Sequence, residues 1–361
     1  MSPPADSIEA RLARHRAFWR GDPVDRPLLG AYLGGYEVPD VYRVARDGDQ
    51  LEARHLRPEP YLDLFTARCE ALERLDQDLF RPASPLYSVP WLEAILGCRV
   101  CVHSEVCWPE RALGRDEPLE DLNLELSEGW QAAAVGFTAA LARHLAGRFP
   151  VAGLFLRGPI DVVAALLGTD RMFYELNDRP GDVDRLVRQC AEAWVTVSRR
   201  LQAAIPPWRG GYVDAGRWLY APEPISYSSE DTTSMVSERL YREHFLVANQ
   251  LIADAFPYGY VHRHSVSAHN LEALLDLHTT WAIEVTMDPN GPRVAEMLPH
   301  FRRIQERGRP LVVFGLNEEA EVALLARSLS PRGLCVFVQA DSPDQARHLL
   351  AAARSPTERS S

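Results

Sequence analysis

The segment Pro310-Leu-Val-Val-Phe-Gly-Leu-Asn317 is followed directly by Glu318-Glu-Ala-Glu321. A nearly continuous apolar run of this length predicts a strand that is buried on both faces. The residues after Asn317 show the pattern of a helix. A buried strand followed at once by a helix is the repeating unit of a parallel α/β fold.

This alternation of short apolar runs and helical patterns continues over the C-terminal two-thirds of the chain. Clear strands are predicted at Val151–Arg157, Gly259–Ser265, Thr280–Asp288 and Gly333–Asp341, with weaker ones at Pro27–Gly34, Gln77–Arg81 and within Gly211–Asp231. With 310–317 they make about eight strands, the number that a (β/α)8 barrel, or TIM barrel, requires. We expect one such domain over residues 1–353 with an N-terminal helical extension, and a disordered tail over residues 354–361. Helices are expected from Pro180 and from the N-cap Ser237.

Composition excludes several classes of function. All 39 basic residues are arginine. Without lysine there is no Schiff base, no covalent pyridoxal phosphate and no Walker-type phosphate lysine. A net charge of −11 argues against nucleic-acid and anionic-membrane partners. The chain has no long apolar stretch and no signal peptide, so we expect a cytoplasmic protein whose six cysteines are reduced thiols.

Two histidines stand out in Tyr258-Gly-Tyr-Val-His262-Arg-His264. Residues two apart in a strand point to the same face, so these imidazoles should lie side by side with Arg263 on the other face. Such a pair can hold a metal or act in acid–base chemistry, although two structural histidines at a barrel mouth would look the same. Active sites of barrels lie at the C-terminal strand ends, where this chain has several polar residues: His262, His264, Glu284, Asp288, Asn317, Gln339 and Asp341. The cysteines between Cys98 and Cys107 lack the spacing of a zinc knuckle and are interpreted as packing.

Several segments resemble the uroporphyrinogen decarboxylase superfamily, which includes zinc-dependent methylcobalamin:coenzyme M methyltransferases. The segments that carry the resemblance are Arg157-Gly-Pro-Ile-Asp161, Asp178-Arg-Pro-Gly-Asp-Val183, Ser228-Ser-Glu-Asp231, Tyr241-Arg-Glu-His-Phe245, Tyr260-Val-His262-Arg-His264 and Leu311–Asn317. The resemblance implies a (β/α)8 barrel that is often a homodimer. It does not fix the reaction. True decarboxylases carry an arginine-rich loop where this chain has Gly30–Pro39, which contains no arginine.

The methyltransferase branch of the superfamily uses one histidine and two cysteines to hold zinc. The resemblance places His262 at the histidine position, His264 in place of the first cysteine, and the distant cysteine near Cys335. Glu284 is an alternative third ligand because it should face inward one strand away. Exchanging a thiolate for an imidazole makes the site harder, so a divalent metal other than zinc is also an option. Glu284 could equally be a buried carboxylate paired with Arg157 or Arg263.

Two enzyme functions and one non-enzymatic function follow. The first is metal-dependent methyl (one-carbon) transfer to or from a small molecule, with any corrinoid supplied by a partner protein because no segment resembles a cobalamin-binding domain. Asp231 would then act as acid–base group or substrate anchor, with weaker support for Tyr212. The second is a metal-free decarboxylase or lyase in which the histidines donate protons and Arg157 holds a carboxylate. The third is a catalytically silent barrel that acts as a binding subunit.

Overall fold

A computed structural model of the chain describes residues 7–34, 41–104, 106–114, 117–120 and 122–354, without the side chain at position 42. Its strands are β1 (Leu28–Leu33), β2 (Gln50–Leu51), β3 (Arg99–His103), β4 (Val106–Glu110), β5 (Tyr212–Val213), β6 (Tyr220–Ala221), β7 (Ile225–Ser229), β8 (Tyr258–His264), β9 (Ala282–Thr286), β10 (Leu311–Leu316) and β11 (Leu334–Ala340). Its α-helices are α1 (Ile8–Arg20), α2 (Leu62–Glu73), α3 (Trp91–Ile95), α4 (Glu128–Leu145), α5 (Pro159–Leu167), α6 (Thr169–Asp178), α7 (Pro180–Gln202), α8 (Glu238–Leu240), α9 (Leu246–Ala255), α10 (Leu271–Leu274), α11 (Val294–Glu306), α12 (Glu319–Ser328) and α13 (Pro343–Arg354). A π-helical turn, Tyr241–Phe245, joins α8 to α9.

The centre of the fold is a six-stranded sheet in the order β1-β11-β10-β9-β8-β7, with every neighbouring pair parallel. These strands are almost wholly buried because helices follow them and cover the sheet. The predicted strands in the C-terminal half are therefore confirmed, and so is the weaker strand at 27–34. The sheet pairs His262 with Glu284, Glu284 with Val312 and Val312 with Cys335.

Two predicted strands are wrong as regular strands. Residues 77–81 form no regular strand, and residues 151–157 make only isolated parallel bridges, from Val151 to Ala83 and from Arg157 to Ser229. In the first segment, side chains supply part of the pairing with β1, beside a backbone hydrogen bond from the Asp78 amide to the Leu29 carbonyl at 2.7 Å. Gln77 accepts a hydrogen bond from the Ala31 amide at 2.9 Å, and Asp78 accepts one from Leu29 at 2.8 Å.

The second of these segments has no regular ladder between its two bridges. Gly153 lies within 151–157, and a glycine weakens a strand because it has no side chain to pack. The region 211–231 resolves into the antiparallel pair β5–β6 and the parallel strand β7.

The helix predicted from Ser237 is confirmed at its start, where the Ser237 hydroxyl accepts a hydrogen bond from the Leu240 amide. Its interior differs from a plain α-helix because the π turn interrupts it. The helix predicted from Pro180 is confirmed as α7, with proline in its first turn.

The N-terminal half adds helices and a small antiparallel sheet, β2-β3-β4, beside the central sheet. At the other end of the chain, Arg354 is the last residue of α13 and forms an ion pair with Asp76. Its assignment to the tail is therefore wrong, because the helix continues through it. The rest of the predicted tail, 355–361, lies outside the described residues. Among the helices of the described segments, none is both long and apolar enough to span a membrane.

Candidate metal centre

The two histidines and one aspartate meet at the C-terminal ends of adjacent parallel strands. His262 and His264 are the last two inward-facing residues of β8, and Asp231 follows β7. Their ligand atoms all lie within 4.8 Å of one another, and they form the one such group found among the described residues. Asp231 Oδ1 is 3.3 Å from His262 Nε2 and 3.4 Å from His264 Nε2.

A carboxylate holds the second nitrogen of each imidazole. Glu284 binds His262 Nδ1, and Asp288 Oδ1 lies 2.6 Å from His264 Nδ1. Both carboxylates come from β9 or the residues just after it. An outer carboxylate on Nδ1 fixes the orientation of the ring and directs Nε2 to the centre, as in carboxylate–histidine–metal arrangements. Glu284, on the neighbouring strand, was predicted as an alternative third ligand. It lies instead behind His262 and contacts the Nδ1 atom of that ring.

Arg217 completes the polar layer behind His262. It lies in the turn between β5 and β6, and its Nε is 3.1 Å from Glu284 Oε1. Its Nη2 donates to the Thr286 hydroxyl at 3.1 Å, and its guanidinium lies over the Phe314 ring at 4.3 Å. Glu284 is therefore paired with Arg217, and neither Arg157 nor Arg263 is its partner.

Charges in the cluster stabilise one another. Burial alone would raise the pKa of Glu284, but Arg217 and His262 outweigh it and lower that pKa to about 2. The Asp231 contact, opposed by burial and aided by Asp288, raises the pKa of His264 to about 9. Burial likewise opposes ionisation of Asp231, yet the two histidines hold its pKa well below the ordinary range. The cluster is thus a row in which acids and imidazoles alternate and stabilise each other's charged forms.

The backbone of Asp231 is also anchored. The Asp161 carboxylate, in the first turn of α5, accepts hydrogen bonds from the amides of Asp231 at 2.9 Å and Thr232 at 2.8 Å. Burial and the neighbouring Asp231 charge raise the pKa of Asp161 to about 6. This contact holds the start of the loop in place while the Asp231 side chain stays 57% exposed to the cavity.

A cavity of about 600 Å³ opens in front of the three residues. Its wall contains Asp231, His262 and His264 together with a group of aromatic side chains: Tyr32, Phe65, Tyr87, Phe155, Trp218, Tyr227 and Phe314. Arginine side chains also line it: Arg68, Arg81 and Arg217. The size and lining suit a small-molecule site, with the polar cluster at one part of a wall that carries both aromatic and polar side chains.

Comparison with known proteins adds a structural relative. No protein-family model matches the chain, and no curated protein matches it in sequence. The fold is similar to that of a methyltransferase from Methanosarcina mazei, with a TM-score of 0.64 over 96% of this chain and 98% of the other. The two chains share that fold. At 15% sequence identity, the likeness concerns the fold alone.

The other residues predicted for the site lie elsewhere. Cys335 is fully buried in β11 and stays outside the metal group, and burial keeps the pKa of its thiol well above the ordinary value. Tyr212 lines a separate cavity of about 50 Å³. Arg157 forms an ion pair with the buried Glu93 and does not line the large cavity. The ring of His269, further along the chain, contacts the Val236 carbonyl at 2.9 Å.

The sequence did not predict three contributions to the centre. These are the pairing of Arg217 with Glu284, the anchoring of the Asp231 backbone by Asp161, and the contact of Asp288 with His264 Nδ1. The position of Asp288 after the strand next to His264 could have indicated this contact, but an aspartate there is equally expected as a turn-forming residue. Asp161 lies in the Gly-Pro segment that opens α5, where an acid in a first turn is ordinary. Arg217 lies between two very short strands, where no periodicity directs its side chain.

Proposed function

We propose that this chain is a (β/α)8 barrel enzyme of the uroporphyrinogen decarboxylase type that transfers a methyl (one-carbon) group in a metal-dependent reaction. The observation that carries the proposal is the convergence of Asp231, His262 and His264 on one point of the large cavity. The shared fold with a methyltransferase supports the type of reaction. The six parallel strands support the barrel, with the bridged segments 77–83 and 151–157 completing its wall.

The three donor groups fit a divalent cation. Ligand bonds of about 2.0–2.1 Å in a tetrahedral site place ligand atoms roughly 3.3 Å apart. Two of the three separations, 3.3 and 3.4 Å from the Asp231 oxygen to the imidazole nitrogens, match that spacing, and all three ligand atoms lie within 4.8 Å of one another. Two imidazoles and one carboxylate with a side open to a cavity are typical of catalytic zinc sites and also suit iron(II). We propose zinc as the first choice.

Each residue then has a defined role. His262, His264 and Asp231 hold the cation, which when bound would lower the pKa of a coordinated thiol. Glu284 and Asp288 fix the two rings through their Nδ1 atoms, and the aromatic wall orients the substrate and excludes water from one side of the cavity. This assigns Asp231 to metal binding, in addition to its predicted role as substrate anchor.

Methyl transfer from a corrinoid is tested with free methylcobalamin and small thiols: 2-mercaptoethanol, 3-mercaptopropionate and 2-mercaptoethanesulfonate. The methyl group passes from cobalt to the thiolate sulfur, which leaves a thioether and cob(I)alamin. We expect the spectrum of cob(I)alamin to appear under anaerobic conditions with zinc-loaded protein, and its rate to fall at least a hundredfold in His264→Ala. Loaded protein that is inactive with every thiol would contradict transfer of this kind. A corrinoid-carrying partner protein and a homodimer remain proposals.

A metal-free decarboxylase or lyase is the second candidate, and one observation favours it. His264 has a pKa of about 9, so without a metal it is an imidazolium that can donate a proton into the cavity. That function predicts release of carbon dioxide from small carboxylic acids by metal-depleted protein. The location of Arg157, paired with Glu93, removes the residue proposed to hold the carboxylate. We therefore rank this function second.

A further inference from the structure

The two strand ends that carry the metal centre present a second polar cluster on their opposite face. Glu230 precedes Asp231, and Arg263 lies between His262 and His264. Both side chains are fully buried, and Arg263 Nη1 is 2.7 Å from Glu230 Oε2. Because side chains alternate between faces, this ion pair lies directly behind the residues that face the cavity.

Side chains from the covering helix and from β7 complete the cluster. The Tyr241 hydroxyl donates to Glu230 Oε2 at 2.8 Å, and Asn249 Nδ2 donates to Glu230 Oε1 at 2.8 Å. Ser228 Oγ donates to Asn249 Oδ1 at 3.0 Å. Both carboxylate oxygens of Glu230 are thus occupied. We call these five residues, Ser228, Glu230, Tyr241, Asn249 and Arg263, the Glu230 network.

The π turn explains how two residues of one helix reach the same carboxylate. Tyr241 and Asn249 are eight residues apart, which in an α-helix would turn their side chains about 80° from each other. The wider π turn at Tyr241–Phe245 takes up one extra residue, so the spacing becomes equivalent to seven residues and the difference falls to about 20°. The helix is therefore built so that both side chains point at Glu230.

Stability alone does not account for such a cluster. Removing two charges from water is costly, and a buried ion pair can often be replaced by apolar residues without loss of stability. The ion pair does, however, fix the relative position of the two chain segments that it joins. Arg263 Nη1 also donates to the carbonyl of His262 at 2.9 Å, so the guanidinium ties the backbone at a ligand to the residue that precedes Asp231.

We propose that the Glu230 network is a positioning device for the metal centre: it sets the distance between Asp231 on one strand and His262 and His264 on the next. Glu230 and Arg263 act from behind and do not contact the substrate. This inference rests on the metal site of the proposed function. It predicts that loss of the network changes metal binding more than it changes folding.

The test uses the double variant Glu230→Leu/Arg263→Met, which removes both charges and leaves no unpaired buried ion. Metal-depleted full-length protein is titrated with Co²⁺, while the visible absorption spectrum and the thermal unfolding midpoint are recorded. We expect the variant to fold with a midpoint within about 5 °C of the original. Its Co²⁺ affinity should fall at least tenfold, as for other outer partners of ligands, and its Co²⁺ spectrum should change because the coordination geometry relaxes.

The matched control is Arg171→Met/Glu175→Met. This pair is also buried and 3.1 Å apart, but it lies within α6, outside the group that could hold the metal. It should leave the Co²⁺ affinity and spectrum unchanged. If Glu230→Leu/Arg263→Met does not fold, Tyr241→Phe decides, since it removes a single hydroxyl. A Co²⁺ affinity at least threefold weaker with an altered spectrum supports the proposal.

The failures are distinguishable. If the original protein does not bind Co²⁺, the proposed metal site is wrong. If it binds Co²⁺ and the folded double variant, or Tyr241→Phe in its place, binds with the same affinity and spectrum, then the site stands and the positioning role is wrong.

Discussion

At the scale of single residues, the centre combines an inner set of donors with an outer set of carboxylates. Asp231, His262 and His264 face one another, while Glu284 and Asp288 hold the far nitrogens of the rings. Neutral imidazole nitrogens bind metals, and the outer carboxylates decide which nitrogen is presented. The chemistry of the site therefore depends on residues that need not contact the metal.

Glu284→Gln tests this dependence. The amide keeps the shape of the side chain but loses the negative charge that His262 and Arg217 share. We expect Zn²⁺ affinity, measured by competition with a chromophoric chelator, to fall by about 10- to 100-fold. Asp341→Asn is the control, because Asp341 is an exposed strand-end acid outside the group. An affinity of Glu284→Gln equal to that of the control would contradict the role of Glu284.

The sequence predicts some of these residues better than others. Strand alternation places His262 and His264 on one face and Arg263 on the other, as observed. It also makes Glu284 and Cys335 inward-facing, yet alternation does not say which inward residues meet. Cys335 lies three strands from His262 in the sheet, and the third member of the group, Asp231, comes from the loop after β7. Which inward-facing residues meet depends on how deep each one lies in the sheet and on the order of the strands. A local sequence pattern shows neither.

At the scale of elements, close packing limits which side chains a strand can carry. Gly259 in β8 illustrates it, because a Cβ there would lie 2.5 Å from the buried Trp281 ring. The same limit applies to prediction: segment 77–81 looks like a strand by composition, but its side chains bind the backbone of β1. Apolar patterns identify elements with regular ladders and overestimate those held by side chains.

Gly259→Ala should therefore destabilise the protein by about 1–3 kcal/mol, the usual range for overpacking. The measurement is equilibrium unfolding in urea. Gly136→Ala is the matched control, since it lies within α4 and a Cβ there meets nothing within 4 Å. That change should be neutral or stabilising because alanine favours helix. Equal effects of the two substitutions would contradict the close packing at β8.

His15 on α1 gives a pH-dependent contribution to stability. Its Nδ1 accepts a hydrogen bond from the Tyr220 amide at 3.1 Å and its Nε2 contacts the Asp78 carbonyl at 3.2 Å, which requires a neutral ring. Burial lowers its pKa to about 4 from 6.5. The unfolded chain therefore takes up this proton first as pH falls. Folding should lose about 3 kcal/mol through this group between pH 6.5 and pH 4.

The check is the free energy of unfolding of the original protein and of His15→Gln at pH 7 and at pH 4.5. The variant is expected to be less stable at pH 7 because it loses packing against Phe80. It should show a smaller loss of stability on acidification. The same pH slope in both proteins would mean that His15 is not the group responsible.

At the scale of the whole molecule, the two strands of the central sheet that come first and last in the chain, β1 and β11, are neighbours in the sheet. β1 pairs with β11 through six residue pairs, from Leu28 with Cys335 to Leu33 with Ala340. The helix after β11 packs on both strands, and its last residue binds Asp76. The central sheet therefore joins segments that lie far apart in the sequence.

Thermal unfolding should accordingly be a single transition. Far- and near-ultraviolet circular dichroism are expected to give the same midpoint, and Leu349→Ala, in the last helix, should lower both by the same amount. Leu349 is 2% exposed, and loss of such a side chain costs about 2–5 kcal/mol. Two separate transitions, or a shift of one signal only, would contradict a single cooperative unit.

We expect the chain to bind one divalent metal ion through Asp231, His262 and His264. The direct measurement is the metal content, by inductively coupled plasma mass spectrometry, of protein purified without a His-tag or chelator. We expect about one metal ion per chain in the original protein and less than a tenth of that in Asp231→Asn, His262→Ala and His264→Ala, each confirmed as folded. An original protein that stays metal-free after incubation with zinc, iron(II) and cobalt, or folded variants that keep the full metal content, would contradict it.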